Sequence, residues 1–242
     1  MRRVTEPSSD KVWVLIPAAG IGTRMNSDIP KQYLEIHGKS VIEHTLQCFI
    51  QHDDVAGVIV ALNSDDPYWK YLKIDYQQKP LYTVEGGKER SDSVMQTLDY
   101  LLSVERVPKS TWVMVHDAAR PCLTMKDIDS LLEIRETRSI GGILASPVRD
   151  TMKRSIKNSF EIDRTETREN LWHALTPQLF KAGDLRRALE TCLEKGIEVT
   201  DESSAIEVLG EHPILVEGSS ANIKITLPED LEVASWILSK RA

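Results

Sequence analysis

The chain has 242 residues, of which 41% are hydrophobic and 28% are charged, and this composition is typical of a globular protein with one sizeable core. Its 37 acidic and 30 basic residues give a net charge of −7, which argues against nucleic acid or an anionic membrane as a partner. The cysteines Cys48, Cys122 and Cys192 have no CxxC spacing, so we expect neither a disulfide framework nor a cysteine zinc site. No run approaches the roughly 20 apolar residues that a membrane helix needs, and we predict a cytoplasmic protein.

Apolar runs alternate with amphipathic segments along the first 147 residues. The runs VWVLIP and VAGVIVAL are continuous and rich in β-branched residues, which is typical of strands buried on both faces. The predicted strands are Val12–Pro17, Val55–Leu62, Tyr82–Glu85, Trp112–His116 and Gly142–Pro147, and the predicted helices are Val41–Ile50, Asp92–Val104 and Met125–Thr137. This alternation predicts an α/β fold with a doubly wound, mostly parallel sheet, whose ligands bind beyond the carboxyl ends of the strands.

The stretch Arg149–Asn170 interrupts this alternation. It is rich in charge and threonine and too polar to cover a core of its own, so it is either a protruding arm or a mobile loop. Globular patterning then returns, with predicted helices Lys181–Glu194 and Glu202–Leu209, strands Ile214–Glu217 and Asn222–Thr226, and a terminal helix after Pro228. We predict a loose lead-in over residues 1 to 10 and one domain over 11–242, with an arm over about 149–170.

The loop after the first strand, PAAGIGTRM, is followed by Pro30-Lys31-Gln32. Small residues let the backbone approach a ligand closely, and loop N–H groups can point at phosphate oxygens. The loop is not a P-loop, and it lacks the third glycine of the dinucleotide fingerprint. Glycine spacing alone is equally compatible with a structural turn, but the PKQ segment favours a phosphate loop to which Arg24 and Lys31 add positive charge.

A second polar run, GGKERSDS at residues 86–93, opens a predicted helix. Ser91 or Asp92 as a helix cap would explain it. A helix N-terminus is also a favourable place for a ribose or a base edge to meet backbone donors. Both interpretations stay open from the residues alone.

The segment Val115–Pro121, VHDAARP, leaves a buried strand with an acid and then an arginine. An unpaired buried carboxylate is costly, so Asp117 either pairs with Arg120 or holds a divalent cation. Mg²⁺ is the expected ion, because it prefers one or two carboxylates together with substrate phosphates and water. His116 has no partner at metal-ligand spacing and is predicted to be a structural hydrogen bonder.

Two further motifs lie near the C-terminus. In TDESS, Thr200 or Asp201 fits a helix cap with acids in the first turn. In the predicted strand NIKIT, alternation places Asn222, Lys224 and Thr226 on one face, so Lys224 points either into a cleft or into water.

Taken in order, these motifs resemble the 2-C-methyl-D-erythritol 4-phosphate cytidylyltransferases of the non-mevalonate isoprenoid pathway. The resemblance runs from about Val12 to the C-terminal helix. It is carried by PAAGIGTRM with PKQ, VHDAARP, DTMKR, LWHALTPQ, TDESSA and NIKITLPEDL. It implies a Rossmann-like nucleotidyltransferase fold, Mg²⁺ dependence, and a homodimer. The implied reaction joins methylerythritol phosphate to the CMP part of CTP and releases pyrophosphate.

The resemblance also implies roles for individual residues. Around the triphosphate, the implied catalytic residues are Arg24, Lys31 and Lys224. For CTP, the implied binding residues are Ala18, Ala19, Gly20, Gly22, Gly87 and Ser93. For the acceptor, they are Arg120, Thr151, Arg168 and Thr200, with Asp117 at the metal. Thr151 and Arg168 are the residues that the arm would lend to the partner subunit; Arg164 competes with Arg168 for this role, but Arg168 directly precedes the LWHALTPQ run. Lys88 is a departure, since relatives often have a small or acidic residue there.

Three other functions stay open. Ribitol 5-phosphate cytidylyltransferases share the fold and reaction, and the arm residues would distinguish them. A regulatory nucleotide-binding protein is disfavoured because the four charged residues at 24, 31, 117 and 224 occur together. A dinucleotide-dependent oxidoreductase is disfavoured by the incomplete glycine fingerprint.

Overall fold

The computed structural model of the chain describes residues 11–20, 29–76 and 79–241. Its main sheet has seven strands, which follow the chain as β1 (Val12–Pro17), β4 (Val55–Leu62), β5 (Leu81–Glu85), β6 (Trp112–Val115), β7 (Gly141–Pro147), β10 (Trp172–Lys181) and β11 (Ile214–Glu217). Their order across the sheet is β11-β7-β10-β6-β1-β4-β5. The pairings are parallel except that β10 runs antiparallel to β6 and β7. The prediction of a mostly parallel α/β sheet is therefore confirmed.

Six α-helices accompany the sheet: α1 (Val41–Ile50), α2 (Arg90–Ser103), α3 (Met125–Leu132), α4 (Ala182–Lys195), α5 (Glu202–Val208) and α6 (Pro228–Ser239). They lie in the described part of the chain, where each predicted helix is present, with ends that shift by a few residues. The predicted helix Met125–Thr137 stops at Leu132 and continues as a 3-10 turn over Glu133–Glu136. Among the helices of the described residues, none combines the length and the hydrophobicity that a membrane span requires.

Apolar side chains cover both faces of the sheet. One core cluster joins β1 and β4 to α1 and α3 through residues such as Val14, Leu46 and Leu131. A second cluster joins the opposite face to α2, α4 and α5 through residues such as Leu15 and Leu98, and a third, smaller cluster packs α6 against the start of α1. Alternate residues of β1 thus enter different cores, which explains why this strand is apolar throughout.

Two segments differ from the expectations. β10 is not predicted from sequence patterns, because Pro177 cannot donate to a ladder and its pairing with β7 shifts between Ala174 and Gln178. The predicted strand Asn222–Thr226 is wrong: the segment is irregular, and Asn222 and Ile225 are its buried residues. Instead of a ladder, it makes separate contacts, such as the backbone hydrogen bond from Ile225 to Ala119.

The polar stretch after β7 is a β-hairpin formed by β8 (Met152–Ser155) and β9 (Ile162–Glu166). This agrees with the predicted arm rather than the predicted loop. Three large apolar side chains, Ile156, Phe160 and Ile162, are exposed on it. A short hairpin, β2 (Glu35–Ile36) with β3 (Lys39–Ser40), precedes α1. The predicted lead-in over residues 1 to 10 lies outside the described residues.

The order of the strands in the sheet determines where a ligand-binding crevice lies. From β1 the chain moves outward to β4 and β5 and then returns to β6 on the other side of β1. The loops after β1 and β6 therefore diverge and leave a crevice between them, which is where ligands bind in open α/β sheets.

Candidate active site

A cleft of about 280 Å³ lies at the carboxyl ends of β1 and β6. Loops of small residues, whose backbone is accessible, line the cleft together with charged side chains. The lining residues are Pro17, Ala18, Ala19, Gly20, Lys31, Gln32, Gly87, Lys88, Glu89, Arg90, Ser93, Asp117, Ala118, Ala119 and Lys224. The structure thus brings together eight of the predicted site residues: Ala18, Ala19, Gly20, Lys31, Gly87, Ser93, Asp117 and Lys224.

The loop after β1 is tied to the turn that carries Lys31. Gln32 is 4% exposed, and its Nε2 donates to the carbonyl oxygens of Ala18 at 2.9 Å and Gly20 at 3.1 Å. The neighbouring Lys31 Nζ donates to the Ile225 carbonyl oxygen at 2.9 Å. Gln32 thus shapes the loop that precedes Arg24 and Gly22, two predicted site residues that lie outside the described residues.

The loop between β5 and α2 forms the wall of the cleft opposite the loop after β1. Its backbone packs so closely against neighbouring side chains that only glycine fits at position 86. A Cβ on Gly86 would lie 2.5 Å from the Ala19 Cβ and 2.8 Å from the Ser93 Oγ. Ser93 Oγ also accepts from the Gly87 backbone N–H at 3.2 Å. The N-cap of α2 is Glu89, whose backbone N–H donates to Asp92, so the predicted cap at residue 91 or 92 is wrong by two or three positions.

Asp117 is the electrostatic centre of the cleft. Its Oδ1 accepts from Arg90 Nε at 3.0 Å, and its Oδ2 lies 3.2 Å from Arg120 Nε and 3.0 Å from Lys224 Nζ. The predicted pair with Arg120 is therefore present, as one of three ion pairs. Burial alone would raise the pKa of Asp117, but the three cations outweigh burial and lower it, so the carboxylate is ionised at neutral pH.

Sequence patterns do not single out Arg90 or Glu202. Arg90 begins α2, lines the cleft, and donates from Nη1 and Nη2 to both carboxylate oxygens of Glu202, at 2.5 and 3.1 Å. Burial opposes the charge of Arg90, but Glu202 and Asp117 together raise its pKa. The signal for this pair is weak, since each residue lies in a run that helix capping explains and they are separated by more than a hundred positions.

His116 is a structural residue, as predicted. Its Nε2 lies 3.1 Å from the Arg120 carbonyl oxygen and its Nδ1 lies 2.9 Å from the Thr176 hydroxyl. Burial lowers the pKa of His116 to about 4. The imidazole is therefore neutral near pH 7 and both of its nitrogens are engaged.

The predicted acceptor residues lie away from the lining of the cleft. Arg120 is buried behind Asp117, where its Nη1 donates to the Asn222 carbonyl oxygen at 2.8 Å. Thr151 and Arg168 are exposed on the arm. Thr200 is exposed before α5, whose N-cap is Asp201, which settles the choice of cap between these two residues.

The two candidate arm arginines differ in their contacts. Arg164 lies on β9 and pairs with Asp163 at 2.7 Å and Glu166 at 2.9 Å. Arg168 follows the hairpin and donates to the backbone oxygen of Arg149. Neither contact brings the side chain to the cleft of the same chain.

A one-carboxylate magnesium site fits the chemistry of this cleft. Asp117 is ionised and lines the cavity, and Mg²⁺ is commonly held by one or two carboxylates plus substrate phosphates. The ion would share the two oxygens of Asp117 with Arg90, Arg120 and Lys224, so phosphate oxygens would have to offset the repulsion between the cations. The described residues contain no cluster of three or more histidine, cysteine, aspartate or glutamate side chains suited to a metal. A metal here would therefore need oxygen ligands from the substrate.

Comparisons with known proteins agree on one family. Residues 12–240 match the family model described as 2-C-methyl-D-erythritol 4-phosphate cytidylyltransferase. A relative with that name from Vibrio parahaemolyticus is 53% identical over 226 residues, which cover 93% of this chain and 94% of the relative. A solved structure with that name from Francisella tularensis is 38% identical, with a TM-score of 0.78 and coverage of 94% of this chain and 99% of that one.

A second solved structure, described as 4-diphosphocytidyl-2C-methyl-D-erythritol synthase, is 37% identical with a TM-score of 0.80, and the match covers 94% of this chain and 98% of that one. The similarity thus extends over the sheet, the cleft and the arm alike. The chain belongs to the 2-C-methyl-D-erythritol 4-phosphate cytidylyltransferase family.

Proposed function

We propose that the chain transfers CMP from CTP to 2-C-methyl-D-erythritol 4-phosphate, giving 4-diphosphocytidyl-2-C-methyl-D-erythritol and pyrophosphate. The observation that carries this proposal is the cleft between the loops after β1 and β6. In it, loops of small residues and several cationic side chains surround one ionised carboxylate. The family to which the chain belongs supports the same reaction.

The cleft divides into a nucleoside side and a phosphate side. The first consists of the small residues at 18–20 together with Gly87 and Ser93, where the backbone is accessible to a base and a ribose. The second contains Lys31 and Lys224. The family resemblance implies the same role for Arg24, which lies outside the described residues. Lysine and arginine in such a site stabilise the charge that develops on transferring phosphoryl groups.

The main barrier to the reaction is charge repulsion and orientation. The acceptor phosphate carries about −2 charge at neutral pH and must approach an anionic triphosphate in line with the departing pyrophosphate. The cations of the cleft offset this repulsion and hold the two reactants in place. No general base is required, because the attacking phosphate is already ionised, and the neutral, doubly hydrogen-bonded His116 is not placed to act as one.

Asp117 is the residue that would hold Mg²⁺. When bound, the ion would neutralise phosphate charge and polarise the phosphate oxygens of CTP. Both oxygens of Asp117 face cationic side chains. The carboxylate therefore also fixes Arg90 and Lys224 at the edge of the site.

The arm would complete the acceptor site of a second copy of the chain. Its residues Thr151 and Arg168 are exposed and lie away from their own cleft, and Arg120 and Thr200 would contribute from the subunit that binds CTP. Exposed apolar side chains on the hairpin, of which Phe160 is the most exposed, provide an interface for a homodimer. A cytoplasmic location stays a prediction.

The decisive assay measures pyrophosphate release with CTP and Mg²⁺, in parallel with methylerythritol 4-phosphate and with ribitol 5-phosphate. Release with the first acceptor alone is expected. Release with ribitol 5-phosphate alone would assign the second acceptor instead, and CTP binding without release from either would indicate a regulatory protein.

The dimer is tested separately by sedimentation of the wild type and of Phe160→Asp. We expect a dimer that the substitution weakens, together with a rise in the KM for the acceptor. A wild-type monomer with full activity would contradict the role of the arm.

A further inference from the structure

The ion pair between Glu202 and Arg90 connects α5 to the cleft, although Glu202 does not line the cleft itself. Glu202 is the first residue of α5 and is 1% exposed. Because it is buried and ionic, it needs a compensating partner, and both of its oxygens are bound by the guanidinium of Arg90. Glu202 itself does not line the cleft, whereas Arg90 does.

Two-point binding restricts the orientation of the arginine. A guanidinium is planar and rigid, so contacts at Nη1 and Nη2 also determine where its Nε–H points. That Nε–H donates to Asp117 Oδ1 at 3.0 Å. The plane of Arg90, and hence its contact with Asp117, follows from the contact with Glu202.

The orientation of Asp117 in turn determines the position of a lysine. With Oδ1 held by Arg90, Oδ2 faces Lys224 Nζ at 3.0 Å and Arg120 Nε at 3.2 Å. Lys224 lines the cleft, and the proposed function assigns it to the phosphates of CTP. A chain of contacts therefore runs from α5 to the ammonium group of Lys224.

We propose that Glu202 is a positioning residue for the transfer reaction, which acts through Arg90 to orient Asp117 and Lys224. This inference rests on the proposed function, because it assigns Lys224 to the phosphates. Glu202 touches no substrate, and its effect on the reaction is transmitted by the guanidinium plane.

Charge and geometry predict opposite outcomes when Glu202 is neutralised. Three cationic side chains face two carboxylates in this network, so Glu202→Gln leaves one more unit of positive charge near the triphosphate. A purely electrostatic effect would strengthen CTP binding and preserve turnover. Loss of positioning would lower turnover even though the cleft has become more attractive to an anion.

The experiment compares Glu202→Gln, Arg90→Lys and the double variant in the pyrophosphate-release assay, together with CTP affinity measured without acceptor. We expect kcat to fall about ten- to a hundredfold in both single variants, while the Kd for CTP in Glu202→Gln stays equal to or below that of the wild type. Arg90→Lys keeps the charge but loses the two-point contact, so it tests the geometry even if Glu202→Gln folds poorly. The double variant should be no worse than the more damaged single variant, because both changes break the same contact.

Glu190→Gln is the matched control. It removes a helical carboxylate paired with Arg186 at the surface, so kcat and Kd should match the wild type. A kcat near the wild-type value in both Arg90→Lys and Glu202→Gln, with only thermal stability reduced, would show that the pair is merely structural and overturn the proposal. A wild type that releases no pyrophosphate would instead overturn the proposed function.

Discussion

The hydrogen bonds of Gln32 give the most direct test of how the cleft is built. One buried amide donates to the carbonyl oxygens of Ala18 and Gly20 and so joins the turn of Lys31 to the loop after β1. Gln32→Leu keeps a side chain of similar size and removes both donors. The carbonyl oxygens would lose their partner while the packing around the turn is largely preserved.

The expected size of this effect follows from the two bonds. A neutral hydrogen bond contributes about 0.5–1.5 kcal/mol to stability, so the variant should lose about 1–3 kcal/mol of its free energy of unfolding. For a chain of this size the melting temperature should fall by roughly 2–4 °C per kcal/mol. Release of the loop also disorders backbone at the proposed nucleotide side, so the KM for CTP should rise about tenfold, which corresponds to about 1.4 kcal/mol.

The assays are thermal unfolding and steady-state kinetics with CTP as the varied substrate. Gln47→Leu is the control, since Gln47 accepts an exposed hydrogen bond from Lys39 away from the cleft, and surface changes are usually within about 0.5 kcal/mol. If Gln32→Leu lowers the melting temperature but leaves the KM for CTP unchanged, the hydrogen bonds of Gln32 stabilise the fold without shaping the nucleotide site.

Three further predictions concern the cleft and the residues behind it. Lys31→Ala should lower kcat far more than the affinity for CTP, by several kcal/mol of barrier; equal losses in single-turnover rate and in CTP binding would contradict its role. Gly86→Ala places a Cβ 2.5 Å from that of Ala19, so calorimetry should show that this variant loses about 1–3 kcal/mol of its free energy of unfolding through overpacking. A variant as stable as the wild type would show that the two loops can move apart without cost. The pKa of His116 is about 4 in the folded chain, below the ordinary histidine value of 6.5, so the unfolded state binds the proton first and stability is lost as pH falls from 6.5 towards 4. Denaturant titrations should assign about 3 kcal/mol of this loss to the imidazole, and an equal loss in His116→Gln would refute the assignment.

Local patterns predict much of this fold, because each pattern reflects a nearby physical requirement. Strands buried on both faces must be apolar throughout, which is why β1 and β4 can be predicted residue by residue. The helix α1 is predicted equally well, because its apolar residues recur at helical spacing. The segment Asn222–Thr226 shows the limit of this reasoning, since its alternation suggested a strand while its buried residues are in fact set by contacts with Ala119 and Arg120. β10 shows another limit, because an antiparallel strand with an internal proline has no distinctive local pattern.

Some features of the cleft can likewise be predicted from sequence patterns, and others cannot. Sequence patterns alone predict a phosphate loop after β1, an acid after β6 and cations that resemble those of the family, since glycine, aspartate and lysine are chemically suited to those tasks wherever they are brought together. Three other features of the cleft appear only in the folded chain: Gln32 holds the loop, Glu202 binds Arg90 at two points, and Asp117 faces three cations at once. These contacts join residues far apart in the chain, and no local spacing encodes the distance between the side chains that the sheet brings together.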